Sequence, residues 1–176
     1  MTKKLLMIVA CLLFLAVSRS SFAYTVTVTE ADLEANVSEY FPLESDTPLY
    51  HLQLFRPVVT LNAKTNRVGL NVDFSIEVPD QYQARGSAYI DGEIGYNADN
   101  GEFYLREPAL VSMSANDLPD QYTGMIRDAL NLFARRSLPV VVLYRLDRND
   151  PREAVMLRTL KSVKVEGGKL LIEVDW

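Results

Sequence analysis

The sequence predicts an α+β fold: a long, curled antiparallel β-sheet wrapped around a long amphipathic helix, with one short N-terminal and one C-terminal helix. Three observations carry that expectation. Val68, Leu70, Val72, Phe74, Ile76 and Val78 alternate without a break with Gly69, Asn71, Asp73, Ser75 and Glu77. Neighbouring side chains of a strand point to opposite faces, so this segment has one apolar face and one polar face. Two more extended segments, Ala84 to Tyr96 and Glu102 to Met113, follow behind "VPDQ" and "NADNG", which are turn-forming and make the three a meander. The third observation is "LPDQYTGMIRDALNLFARRS". At 100° per residue, Tyr122, Met125, Ile126, Ala129, Leu130, Leu132 and Phe133 fall within an arc of about 160°. The stripe of an ordinary surface helix is nearer 100°, so more than one flank of this helix is expected to be covered. The lengths agree as well. Val68 to Val78 has 11 residues and spans roughly 36 Å, long enough for twist to curl a sheet. The helix, at about 19 residues, spans about 28 Å.

The elements follow in order. Residues 1–23 have the form of a signal peptide: Lys3 and Lys4, then the apolar run "LLMIVACLLFLAV", then "SRSSFA" with small residues at Ser21 and Ala23. The run of 13 residues is short for a membrane span of about 20, so no stable span is expected after cleavage, and the location expected is periplasmic. Cys11 in "IVAC" sits in the middle of the apolar run, where a lipid-modified cysteine would close it, so anchoring there is not expected. Residues 24–176 form one domain. "YTVTVT" is a strand, and Thr29 with Asp32 has the spacing of a capping box. Leu33, Val37, Tyr40 and Phe41 then mark a short helix that Pro42 stops. "LYHLQLFRPVVTLN" is a strand with a bulge or edge at Arg56-Pro57. After the long helix, the continuous apolar run "LPVVVLYRL" predicts a strand buried on both faces. Asp150-Pro151 starts the C-terminal helix, and "VKVEGGKLLIEVDW" is a hairpin turning at Gly167-Gly168.

Charge and composition exclude several classes of function. The 176 residues carry 18 basic and 23 acidic side chains. Without Lys3, Lys4 and Arg19 the remaining domain has 15 basic against 23 acidic groups, a net charge of −8. A nucleic-acid partner needs a basic footprint, and none is present. Simple electrostatic adhesion to anionic lipid is disfavoured for the same reason. Beyond Cys11 there is no cysteine and His51 is the only histidine, so neither a disulfide framework nor a transition-metal site can be built. "NADNGE" lacks the order of a calcium loop and suits a hairpin turn. "GEIG" is too short for a dinucleotide fingerprint. Asp91 and Glu93 share the wet face of a strand, where carboxylates keep a surface soluble. Asn36-Val37-Ser38 matches a glycosylation sequon but falls in a helix. No catalytic residues, metal or cofactor are expected, and the chain is not expected to be an enzyme.

The inner face of the second long strand, Ala84, Gly86, Ala88, Ile90, Gly92 and Ile94, is mostly small. Small positions in a strand accompany close approach by another backbone or by a ligand. Two readings follow: the helix packs tightly here, or the small side chains leave a slot for an acyl chain.

"YTVTVTEADLEANVSEYF", "GEFYLREPALVSMS", "MIRDALNLFARRSLPVVVL" and "VKVEGGKLLIEV" together resemble the YceB-like envelope lipoproteins, a family without an assigned function. That family is similar to the tubular lipid-binding, or BPI-like, superfamily. The resemblance implies a long sheet around a long helix with an apolar groove, an envelope location and a lipid ligand. Many relatives carry a lipidated cysteine at the mature N-terminus; Tyr24 would stand there in this chain.

The functional expectation is an apolar-ligand-binding module without catalytic activity. Leu70, Val72, Phe74, Ile76, Ala88, Ile90 and Ile94 would line one wall, and Met125, Ile126, Leu130 and Phe133 the other. The alternative is a structural or partner-binding envelope protein with a fully packed core.

Overall fold

Thr29 ends the first strand and caps the first helix in the way its spacing from Asp32 predicts. Asp32 N–H donates to Thr29 Oγ1 at 3.2 Å and Thr29 N–H donates to Asp32 Oδ2 at 2.9 Å, so two backbone donors that a helix start leaves open are both met. The structure is a computed structural model and describes residues 24–116 and 118–174. The predicted signal peptide lies outside the described residues. The order is β1 (Tyr24–Thr29), α1 (Glu30–Ser38), β2 (Leu43–Asp46), β3 (His51–Asn62), β4 (Arg67–Val78), β5 (Tyr82–Asn97) and β6 (Glu102–Ala115). Then come α2 (Asp120–Ser137), a 3-10 turn (Leu138–Val140), β7 (Val142–Arg145), α3 (Pro151–Thr159), β8 (Leu160–Glu166) and β9 (Lys169–Val174).

β2 to β7 form one antiparallel sheet in chain order, curled into a half-barrel. β1, β9 and β8 make a second sheet of three strands, with Tyr24 paired to Val174. The meander is as the alternation predicts, and β5 is the longest strand at 16 residues. Arg56-Pro57 is a bulge: the two residues stand opposite Val72, with Arg56 at φ 51°. Proline has no N–H to give to a ladder, so a bulge is one of the few places in a sheet that tolerates it. β6 uses the same device. Glu107 and Pro108 oppose Gly92, and Glu107 stands at φ 49°.

Edges of both sheets are met by side chains from elsewhere. β2 pairs with β3 only as far as Leu54. Beyond it, Val59 N–H donates to Glu34 Oε2 at 3.1 Å and Leu61 N–H to Glu30 Oε1 at 2.7 Å. Two residues of strand and four residues of helix both advance about 6 Å, so a helix laid along a strand can present matched acceptors. α1 also packs on β7 and donates from Asn36 Nδ2 to Leu143 O at 3.1 Å. It therefore bridges the two sides of the half-barrel, and the amide of the sequon is engaged inside the fold. On the other sheet, Val165 N–H of β8 donates to Asn66 Oδ1 at 2.7 Å.

Two expectations are corrected. "LPVVVLYRL" is not one doubly buried strand: Leu138–Val140 forms a 3-10 turn with Val140 70 % exposed, and only Val142–Arg145 is strand. Pro139 removes a ladder donor in the first half of the run, which prevents pairing there. The stripe of α2 is also rotated from the expected one. Leu132 is 44 % exposed while Ala134 is fully buried, so one of the two flanks is open rather than covered.

Candidate functional site: the apolar interior and its seam

The candidate site is the apolar cluster to which β4, β5 and β6 contribute from the sheet, with α2 packed on it along β6. α2 starts after Pro119, carries Asp120 in its first turn and Arg135 and Arg136 in its last. Each charge complements the helix dipole at its own end. Tyr122 stacks on Tyr82 at 5.0 Å between ring centres, which joins the start of α2 to the start of β5. Halfway along, Leu110 N–H of β6 donates to Asn131 Oδ1 at 3.2 Å. Between these two ties the contact is apolar. Ile126, Ala129, Leu130, Phe133 and Ala134 face inward, and no charged side chain is buried among the described residues.

The residues expected to line a groove all fall in or against this one apolar cluster. Phe74, Ile76, Ile90, Ile126 and Leu130 are 0 % exposed, Val72 1 %, Leu70 and Ala88 3 %, and Phe133 5 %. Ile94 and Met125 are partly buried at its margin. Side chains this closed off touch neither solvent nor a void that holds water, so the interior at these positions is packed by the protein itself. The small residues of β5 do not leave free space either. A Cβ on Gly86 would stand 2.0 Å from Ser114 O, and one on Gly92 would stand 2.7 Å from Leu105 Cγ. What approaches closely is β6, rather than the helix or a ligand.

Open space lies at the seams. β7 pairs with β6 only over Glu102–Tyr104. Past that point, the bulge of β6 and the end of α2 enclose a cleft of about 570 Å³ lined by Glu107, Pro108, Ala109, Arg135 and Pro139. A second cleft of about 440 Å³ lies across Pro139, lined by Tyr96, Asn97, Ala98, Glu102, Tyr104, Val140 and Val142. On the solvent face of the sheet, Arg56, Asp73, Arg85, Ser87 and Ser114 line a shallower one of about 370 Å³. Apart from Phe74, which also borders the third cleft, the residues lining these clefts were not expected to form a site. Pro108 beside Glu107 repeats the Arg56-Pro57 pattern and is the signal that could have marked the first cleft.

Several charged groups of the sheet surface are paired. Arg67 bonds Asp91 at 2.9 Å and lies 3.8 Å from Glu93, which also bonds Arg106. The hydrogen bond from Arg106 holds the Glu93 carboxyl below its usual value, which favours a charged carboxylate and opposes the raised value of a general acid. His51 bonds Asp46, which raises its pKa. Tyr144 is pushed up by burial, with Glu153 accepting its hydroxyl hydrogen at 3.0 Å. "NADNG" closes as a turn, Gly101 N–H donating to Asn97 O at 2.8 Å with Gly101 at φ 69°. No cluster of metal-binding side chains is found among the described residues.

The fold and interior define a class first: an α+β protein whose curled sheet and amphipathic helix close on an apolar interior. The family is more particular. Residues 28–169 match the family described as "Protein of unknown function (DUF1439)", and the chain belongs to it. A search of the curated proteins finds no match. No helix among the described residues is long and apolar enough to cross a membrane.

Proposed function

We propose that this is an exported, non-catalytic protein of the cell envelope that takes up an apolar ligand between α2 and the sheet. In this reading the sheet wraps around α2 as it does in the YceB-like and BPI-like proteins. One observation carries the proposal: the buried residues of α2 join those of β4 and β5 in one apolar cluster, and α2 is tied to β5 at its start by a ring stack and to β6 at its middle by one amide. A wall of that kind can move without breaking a polar network. The packed interior is then the unliganded state, since an empty apolar groove costs free energy and collapses. Burying Ile126, Leu130 or Phe133 contributes about 1.5–3 kcal/mol each. A ligand must therefore replace these contacts as the helix gives way, and the cost of opening lowers the apparent affinity.

The second reading is a structural or partner-binding protein with a permanently filled core. The near-zero exposure of the wall residues favours it. Native mass spectrometry of the protein isolated without detergent separates the two. A bound amphiphile, and a melting temperature that rises with added lipid, are expected on the first reading. An unliganded mass and a melting temperature indifferent to lipid would leave only the second.

A further inference from the structure

The cleft beside the β6 bulge carries more chemistry than its size requires. Two of its lining residues are charged, and they have opposite signs: Glu107 and Arg135. No ion pair of either is found among the described residues, although Arg106 and Arg67 lie within the field of Glu107. Glu107 is also held in the left-handed region, at φ 49°, directly before Pro108. That conformation is disfavoured for a side-chain-bearing residue, and more so before proline. Strain of this kind is kept where surrounding structure enforces it, and a bulge re-aims the side chain it carries. Here the bulge brings a carboxylate to a cleft whose other wall ends in a guanidinium.

A cleft with one unpaired charge of each sign suits a ligand that also carries both. A guanidinium takes a phosphate through paired hydrogen bonds, and a carboxylate takes an ammonium. A purely anionic group would meet Glu107 on a protein that already has a net charge of −5. The remaining lining is Pro108, Ala109 and Pro139. Ala134 and Leu138, the chain neighbours of Arg135 and Pro139, belong to the apolar core. The cleft therefore lies against the same interior that α2 covers, and about 570 Å³ is within the range of small-ligand sites.

We infer that this cleft is a headgroup site and that the ligand is a zwitterionic amphiphile, with its phosphate on Arg135 and its ammonium on Glu107. The inference rests on the apolar-ligand reading and adds the chemistry of the head. It is tested on the full protein by titration with dihexanoyl phosphatidylethanolamine, dihexanoyl phosphatidylglycerol, dihexanoylglycerol and free phosphoethanolamine. The ethanolamine lipid is expected to bind tightest. Arg135→Gln is expected to weaken both phospholipids about tenfold, as the loss of one charge-assisted contact does. Glu107→Gln is expected to abolish the preference for ethanolamine over glycerol, weakening the ethanolamine lipid and not the glycerol lipid. Equal binding of all three lipids, or variants that bind like the parent, would overturn the headgroup site and leave the apolar-ligand reading intact. Phosphoethanolamine binding as well as its lipid would overturn the amphiphile. Failure of every lipid to bind would overturn the reading beneath it as well.

Discussion

Glu30 and Glu34 stand on a helix yet complete the hydrogen bonding of a strand, Leu61 N–H and Val59 N–H being their donors. Their side chains are only partly buried, so the loss of one acceptor is softened by water. Glu34→Ala is expected to cost about 1 kcal/mol in urea unfolding and to speed hydrogen exchange at the Val59 amide ahead of its neighbours. Unchanged exchange at Val59 would show that the bond does not form in solution. His51 offers a test in pH. Its bond to Asp46 raises its folded-state pKa above the ordinary 6.5. A raised value means that the stabilisation is fully present below pH 6.5 and is lost as pH rises through the folded value. The imidazole is expected to titrate above 6.5 by NMR and to move down in Asp46→Asn. A midpoint at or below 6.5 in the parent would remove the pair.

Among the elements, those defined by neighbours in sequence were legible and those defined by distant partners were not. The Thr29–Asp32 cap, the Arg56-Pro57 bulge, the "NADNG" turn and the Asp150 start of α3 each depend on a few adjacent residues, and each is where its signal predicts. β8 and β9 form the predicted hairpin, but nothing local says that Tyr24 pairs with Val174, so the joining of β1 to that hairpin was missed. Leu132 and Ala134 changed places because hydrophobicity marks the faces of α2 but not where its neighbours end. The small residues of β5 showed that something approaches closely, and only the register shows that it is β6. That account predicts a cost. Gly86→Ala places a Cβ 2.0 Å from Ser114 O and is expected to destabilise by about 1–3 kcal/mol. A neutral or stabilising result would mean that the space is free after all. Ile126→Ala, which empties a fully buried position of α2, is expected to cost about 2–5 kcal/mol.

At the scale of the whole molecule, two features decide what the protein can do. Strand edges in both sheets carry side-chain partners, with α1 joining β3 to β7 and Asn66 meeting β8, so these stretches are hard to extend with another strand. The contact of α2 is apolar and lightly tied, so it is the wall best suited to yield. Of the candidate site, the residues of the interior were legible because alternation and helical period report an inward face directly. The seam was not, because Glu107 and Arg135 are brought to one cleft by a bulge and a helix end that are 28 residues apart in the chain. The central claim is that the interior opens at α2 to admit an alkyl chain. The most direct measurement is paramagnetic broadening of methyl NMR signals by a short-chain phospholipid with a nitroxide on its acyl chain. The account predicts broadening of the buried methyls of Val72, Ile76, Ile90, Ile126 and Leu130. Broadening confined to the exposed Val111, Leu132 and Val140, with the buried set untouched, would contradict it.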